Sequence, residues 1–281
     1  MSASSAPLPL QTHSNRFWSD PQSVPRLAVL LLNAPLAPHW RLSGPPALSP
    51  STNSDPPTSE LFRSLWNNAE LRMCADGGAN RLFDGSTGSG GSESGDDVLP
   101  PHCIKGDLDS LREDVRAFYA ARGALVERDP GQDSNDLDKC LELIFARQER
   151  EPARGRFAVV IFGALGGRLD QEMQNLNALF CWHDRFQQLA LLSEDATARL
   201  LLPGARHVIE PNFAFETRTC GLIPLAGACA ATTTAGLQWD LRGQEMRFGG
   251  LISSSNHVAD GHAVVHVENS HPLVWTTELR K

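Results

Sequence analysis

Lysine is nearly absent from this chain. Of 25 basic residues among 281, Lys105, Lys139 and Lys281 are lysines and the other 22 are arginines. Acids outnumber bases 33 to 25, a formal charge of −8, which argues against non-specific nucleic-acid binding because that needs a basic footprint. A strongly anionic substrate must then be met by arginines, backbone N–H groups or a metal ion. No apolar run approaches the roughly 20 residues that span a bilayer, and the N-terminus is polar and Pro/Ser-rich, unlike a secretion signal. With 41% hydrophobic and 21% charged residues, the chain reads as soluble, globular and cytoplasmic, with no membrane partner. The six cysteines include no C-x-x-C pair and read as reduced, buried thiols. G-x-S-x-G, H-E-x-x-H and zinc-type Cys/His spacings are all missing, which removes the corresponding hydrolase and metalloprotease chemistries. His257, His262, His266 and His271 crowd the C-terminal region without partner cysteines and read as surface or partly buried histidines.

What is present has two rhythms. Residues 1–25 carry no sustained period and are expected to form a loose extension. Residues 43–58 are rich in Pro and Ser. Gly85–Asp97 is rich in Gly and Ser but lacks both the lysine of a G-x-x-x-x-G-K-[ST] loop and an apolar strand feeding it, so it reads as a flexible insertion. From 26 to 196, strand-like and helix-like segments alternate. Strands are expected at Leu27–Leu32, Leu71–Ala75, Cys103–Lys105, Leu125–Glu127, Phe157–Phe162 and Leu189–Leu192. Apolar residues at helical spacing fall between them: Leu61, Phe62, Leu65 and Trp66, then Leu111, Val115, Phe118 and Tyr119, then Leu137, Cys140, Leu141, Ile144 and Phe145; a further helix is expected from about Asp170 to His183. Ser110 with Glu113 offers a capping box. This alternation predicts a Rossmann-like, mostly parallel α/β domain. From 197 to 281 the helical period disappears. Short runs at 198–202, 206–209, 213–218, 220–225, 237–241, 262–267 and 273–279 predict a C-terminal all-β sandwich.

Carboxylates cluster just after the predicted strands: Asp76 after the second, Asp107 and Asp109 after the third, Asp133 and Asp136 after the fourth, Asp170 after the fifth. Ligands bind outside the carboxyl ends of strands in an open parallel sheet, so these acids share one address. Converging carboxylates repel unless a cation sits among them, and hard oxygen ligands beside phosphate select Mg²⁺. Helix capping competes as an explanation for Asp109 and Asp170 taken singly. It accounts less well for Asp107 and Asp133, which lie well before a helix start. Glycines beside the acids, Gly106 among them, allow a backbone to approach phosphate closely.

Read in order, CADGGANRLFD (74–84), IKGDLDSL (104–111), QDSND (132–136), GGRLDQ (166–171), TTTAGLQWDL (232–241), FGGLISSSN (248–256) and HPLVWTTEL (271–279) resemble the eukaryotic thiamine pyrophosphokinases. The resemblance covers most of 27–281. It implies transfer of the β,γ-diphosphate of ATP to the hydroxyl of thiamine, an α/β nucleotide domain joined to a β-sandwich, and a homodimer with shared active sites. On that reading Mg²⁺ is held by Asp107, Asp109 and Asp133, with Asp136 close by. Either Asp133 or Asp136 takes the hydroxyl proton. Asp76 joins the metal ligands, Asp76 and Asn80 help hold metal-bound water or phosphate, Gly106 lies against the nucleotide phosphates, Arg168 contacts phosphate, and Asp170 with Gln171 serves the nucleotide. Trp239 is a candidate to stack on thiamine, unless it is a core tryptophan of the sandwich. Ser253, Ser255 and Asn256, with Gln132, are candidates to read the aminopyrimidine edge. Two positions depart from the family pattern: Ala235 stands where a further Thr is usual, and Asn135 where Ser or Thr is usual. Two other readings compete. A sugar-nucleotide transferase could use Asp107-x-Asp109, but it leaves the C-terminal motifs unexplained. A binding protein without turnover would not need so many metal ligands.

Overall fold

The computed structural model describes residues 8–34, 58–87, 98–131 and 133–281. In chain order its elements are β1 (Leu10–Ser14), β2 (Leu27–Leu31), α1 (Thr58–Asn68), β3 (Leu71–Ala75), α2 (Gly78–Thr87), β4 (Cys103–Gly106), α3 (Glu113–Ala120), β5 (Leu125–Arg128), α4 (Asp136–Arg150), β6 (Ala158–Phe162), α5 (Leu169–Trp182), β7 (Gln188–Leu192), β8 (Ala196–Leu201), β9 (Arg206–Glu210), β10 (Glu216–Ile223), β11 (Cys229–Ala235), β12 (Arg242–Met246), β13 (Ser253–His257), β14 (Val265–Asn269) and β15 (Leu273–Leu279). The chain divides into two compact units. One comprises 17–197 with 279–281; the other comprises 198–278 with the described residues before 17.

In the first unit, β7-β6-β2-β3-β4-β5 lie side by side, every pair parallel. The central strands β2 (LAVLL) and β6 (AVVIF) are buried at every position, the pattern of strands covered on both faces. At the edge, β5 (LVER) has no buried residue. Helix α4 turns Leu137, Cys140, Leu141 and Ile144 inward at helical spacing. Each large apolar side chain so buried contributes about 1.5–3 kcal/mol. Its N-cap is Asn135, whose Oδ1 accepts from the Asp138 N–H at 2.9 Å; the family departure at 135 therefore keeps a capping residue. After β2 the chain moves to β3 on one side, and after β5 it returns to β6 on the other. The sheet thus has its topological switch beside β2, where ligand crevices form.

In the second unit, one sheet runs β1-β9-β14-β11-β12 and the other includes β13-β10-β15-β8. Leu201, Ile209, Leu222, Met246, Val265, Val267 and Trp275 share one core between them.

Several expectations need correction. The N-terminal segment is not loose where it is described: β1 pairs parallel with β9, and Phe17, Trp18 and Pro21 are buried. A five-residue strand with His13 as its one buried member (LQTHS) leaves almost no apolar period to read. Buried polar bonds hold it instead, with His13 Nε2 3.0 Å from His207 Nδ1 and Asn15 Nδ2 donating to Glu216 Oε2 at 3.0 Å. Gly85–Thr87 continue α2, while 88–97, like 43–57, lie outside the described residues. The Ser110/Glu113 capping box does not form; Arg112 is the N-cap of α3, without a side-chain cap. Residues 237–241 form a pinned loop rather than a strand, and the polar strands β11, β12 and β13 carry too few apolar residues to announce themselves.

Candidate active site

Strand ends and one helix start assemble the site. A cleft of about 1070 Å³ opens beside the switch point and is lined by Asn33 after β2, Asp76 after β3, Asp107 and Asp109 after β4, Asp133 and Asp136 at the start of α4, and Gly163, Arg168 and Gln171 after β6. Asp76, Asp107 and Asp136 each place one carboxylate oxygen within 4.8 Å of the others. Asp109 and Asp133 line the same cleft outside that trio. Of the expected metal ligands Asp76, Asp107, Asp109 and Asp133, the structure brings Asp76 and Asp107 together, and it adds Asp136 to them. Capping by Asn135 makes Asp136 the first helical residue of α4.

Backbone geometry is spent on this trio. Asp76 adopts φ 43° and Leu108 φ 63°; left-handed conformations of this kind cost about 1–3 kcal/mol and cluster at functional sites. The Asp107 N–H donates to Asp136 Oδ1 at 3.2 Å, and the Asp109 N–H to Asp107 Oδ1 at 3.2 Å. Asp109 accepts from Ser110 Oγ at 2.9 Å, and the Ser110 N–H donates to Asp76 Oδ2 at 3.2 Å. Gly106 makes the convergence possible: a Cβ there would lie 2.9 Å from Asp76 Cβ and 3.0 Å from Asp136 Cγ. The missing side chain leaves room for the two acids to approach each other.

Asp76 is 4% exposed, and its Oδ1 is buried with no hydrogen-bond partner. Burial, then the Asp136 charge, push its carboxyl above the ordinary value; burial and the Asp107 charge do the same for Asp136. Three carboxylates this close, one of them with a buried oxygen that no donor meets, form an all-oxygen donor set, so the residues fit a hard cation such as Mg²⁺.

Other candidates fare differently. Asn80 spends both ends of its amide on the loop before α3, donating to Ser110 O at 2.7 Å and accepting from the Arg112 N–H at 3.1 Å. It pins the loop and is not part of the cleft lining. Arg168 lines the cleft and makes a two-point ion pair with Asp170, at 3.1 and 2.5 Å, with both side chains exposed. Asp170 and Asp109 are not N-caps, since Arg168 and Arg112 hold those positions. Gln132 lies outside the described residues.

In the β unit, Trp239 is 56% exposed, so it is no core tryptophan; its ring meets His257 edge-on at 6.0 Å. Asn256 is buried with its amide saturated: Nδ2 donates to Trp239 O (2.9 Å) and Ser253 Oγ (3.1 Å), while Oδ1 accepts from the Trp239 (3.3 Å) and His257 (2.8 Å) N–H groups. It clamps the tryptophan backbone, and both of its N–H donors are engaged within the protein. Ser253 is buried, whereas Ser255 is exposed at φ 54°.

Sequence reasoning overlooked Arg81, Asn33 and Lys139, all of which line the cleft. Arg81 Nε donates to Asn33 Oδ1 at 3.0 Å. Arg81 lies inside the 74–84 motif, and Lys139 follows Asp136 by one helical turn; those spacings were the available signals.

Comparison with known proteins agrees with both units. Residues 62–191 match the family model described as thiamin pyrophosphokinase, catalytic domain, and 206–274 that described as thiamin pyrophosphokinase, vitamin B1 binding domain. The chain is 42% identical to thiamine pyrophosphokinase 1 of Arabidopsis thaliana over 221 residues, 77% of this chain and 81% of that one. With thiamine pyrophosphokinase 1 of Oryza sativa subsp. japonica it shares 38% over 291 aligned residues, covering 98% and 99%. The crystal structure of yeast thiamin pyrophosphokinase shares the fold, with a TM-score of 0.76 at 21% identity over 99% of this chain and 94% of that one. This chain belongs to the thiamine pyrophosphokinase family.

Proposed function

We propose that the chain transfers the diphosphate of ATP to the hydroxyl of thiamine, giving thiamine diphosphate and AMP, with Mg²⁺ at Asp76, Asp107 and Asp136. Family membership supports the reaction. The observation that carries the site is the trio itself, above all the buried, unpartnered Asp76 Oδ1. In the reaction the thiamine oxygen forms a bond to the β-phosphorus, the bond from that phosphorus to the α-phosphate oxygen breaks, and AMP leaves with the bond's electron pair. Such transfers depend chiefly on positioning and charge neutralisation, and a bound Mg²⁺ supplies the neutralisation. Arg81 and Arg168 are the guanidinium groups of the cleft suited to phosphate oxygens. Arg168 must exchange Asp170 for phosphate to serve there. Asp136 is committed to the trio, so Asp133 or Asp109, exposed at the cleft, is the better acceptor for the hydroxyl proton. Trp239 offers an exposed face to the cationic thiazolium, a contact worth about 0.5–2 kcal/mol.

The proposal extends to a cytoplasmic homodimer, as the family resemblance implies. Among the described residues no helix is long and apolar enough to cross a membrane. Exposed apolar side chains that include Leu169, Met173, Phe248 and Leu251 are available for association, which sedimentation would detect. Asp107→Asn is the direct test of the site. Turnover should fall by roughly a thousandfold with the circular dichroism spectrum unchanged; near-normal turnover would remove the metal-cluster argument.

A further inference from the structure

Lys139 is one of three lysines in the chain, and it is almost completely enclosed, with a side chain 3% exposed. Its place in the fold is unfavourable for an ammonium on two counts. It sits in the first turn of α4, where the helix dipole already presents positive charge. It is also cut off from water, which costs several kcal/mol for an unpaired ion. What offsets both is acceptor oxygen: Lys139 Nζ donates to Asp129 O at 3.0 Å and to Asp136 Oδ1 at 3.4 Å. The nearby Lys105 is committed elsewhere, to Glu127 at 2.5 Å and Asp129 at 3.5 Å. Of the other cations lining the cleft, Arg81 bonds Asn33 and Arg168 bonds Asp170. Lys139 is therefore the ammonium that touches the trio.

We propose that Lys139 is a positioning residue, an internal counter-ion that holds Asp136 in the trio when no metal is bound and sets how strongly the trio attracts a divalent cation. The inference rests on reading Asp76, Asp107 and Asp136 as the metal site. Three carboxylates against one ammonium leave two negative charges, the number one Mg²⁺ neutralises. Without the ammonium the empty trio repels itself more strongly, and a cation entering it meets a larger net charge.

The test compares wild type, Lys139→Gln and Lys139→Arg by thermal melting in EDTA and in Mg²⁺, and by direct Mn²⁺ titration without nucleotide. The expected result is that Lys139→Gln melts lowest in EDTA and gains more on adding Mg²⁺ than wild type, by about 3 °C or more. Its Mn²⁺ affinity should rise roughly tenfold, while Lys139→Arg stays near wild type. Equal losses of melting temperature with and without Mg²⁺, together with unchanged Mn²⁺ affinity, would overturn the proposal and leave an ordinary buried lysine. Should Lys139→Gln fail to fold in EDTA, Asp136→Asn is added to it. Recovery in the double variant supports the counter-ion role; no recovery overturns it. Wild type that binds no Mn²⁺ would overturn the metal site itself, a result distinguishable from the failure of Lys139 alone.

Discussion

Gly106 ends β4 at the one point where Asp76 and Asp136 both press on the backbone, and a methyl group there meets both. Gly106→Ala should fold but spread the two acids, and displacements of this size cost about a hundredfold in turnover; steady-state kinetics beside a melting curve would show the split. The trio also separates two acids that the sequence left level. Asp136→Asn should lose Mn²⁺ binding, whereas Asp133→Asn should keep it; equal Mn²⁺ affinities in the two variants would contradict the assignment. Strand-end placement made Asp76, Asp107 and Asp136 legible as neighbours, because chain order fixes which strand ends meet. Where a side chain spends its hydrogen bonds is another matter. Asn80 and Asn256 have the right chemistry for ligand contact, yet both amides are tied by hydrogen bonds to adjoining loops. Lys139 was hidden for a similar reason, since a lysine one turn along a helix from an acid is ordinarily a solvated pair.

Elements fixed by packing were readable, and elements fixed by polar bonds were not. The unbroken apolar runs of β2 and β6 announce buried parallel strands. By contrast, β13 (SSSNH) and β1 (LQTHS) have no such run and are held by partners far away in the chain. Helix α4 joins both kinds, with an apolar stripe and a capping Asn135. Asn135→Ala should cost about 0.5–2 kcal/mol of stability, and it should weaken Mn²⁺ binding as well, because it loosens the turn that carries Asp136. The attachment of β1 predicts a pH dependence. Burial first, then the charges of Arg199 and His207, hold His13 down to about 2, and burial lowers His207. On unfolding these histidines return to about 6.5, so below that pH the unfolded chain takes up protons that the folded chain refuses. Their stabilisation is complete above about 6.5 and falls with acidification, by up to about 1.4 kcal/mol per pH unit for each. Urea midpoints at pH 7.5 and 5.5 should therefore differ more in wild type than in His13→Asn; parallel midpoints would contradict the buried pair.

At the scale of the molecule, the two units present different side chains: acids and arginines line the cleft of the α/β unit, and the β unit exposes a clamped tryptophan. Substitutions should divide accordingly. Trp239→Ala should raise KM for thiamine by roughly two- to thirtyfold, the equivalent of a lost cation–π contact, and leave KM for ATP alone. Arg81→Ala should do the reverse. The alternation of strand and helix before residue 196 and its loss afterwards made this division visible in the sequence, since period reports which layer an element packs into. The most direct test of the account is chromatography of the products formed from thiamine, ATP and Mg²⁺. Equimolar AMP and thiamine diphosphate, abolished by EDTA, is the predicted result. ADP with thiamine monophosphate, or turnover indifferent to EDTA, would contradict diphosphate transfer at a metal-bound carboxylate trio.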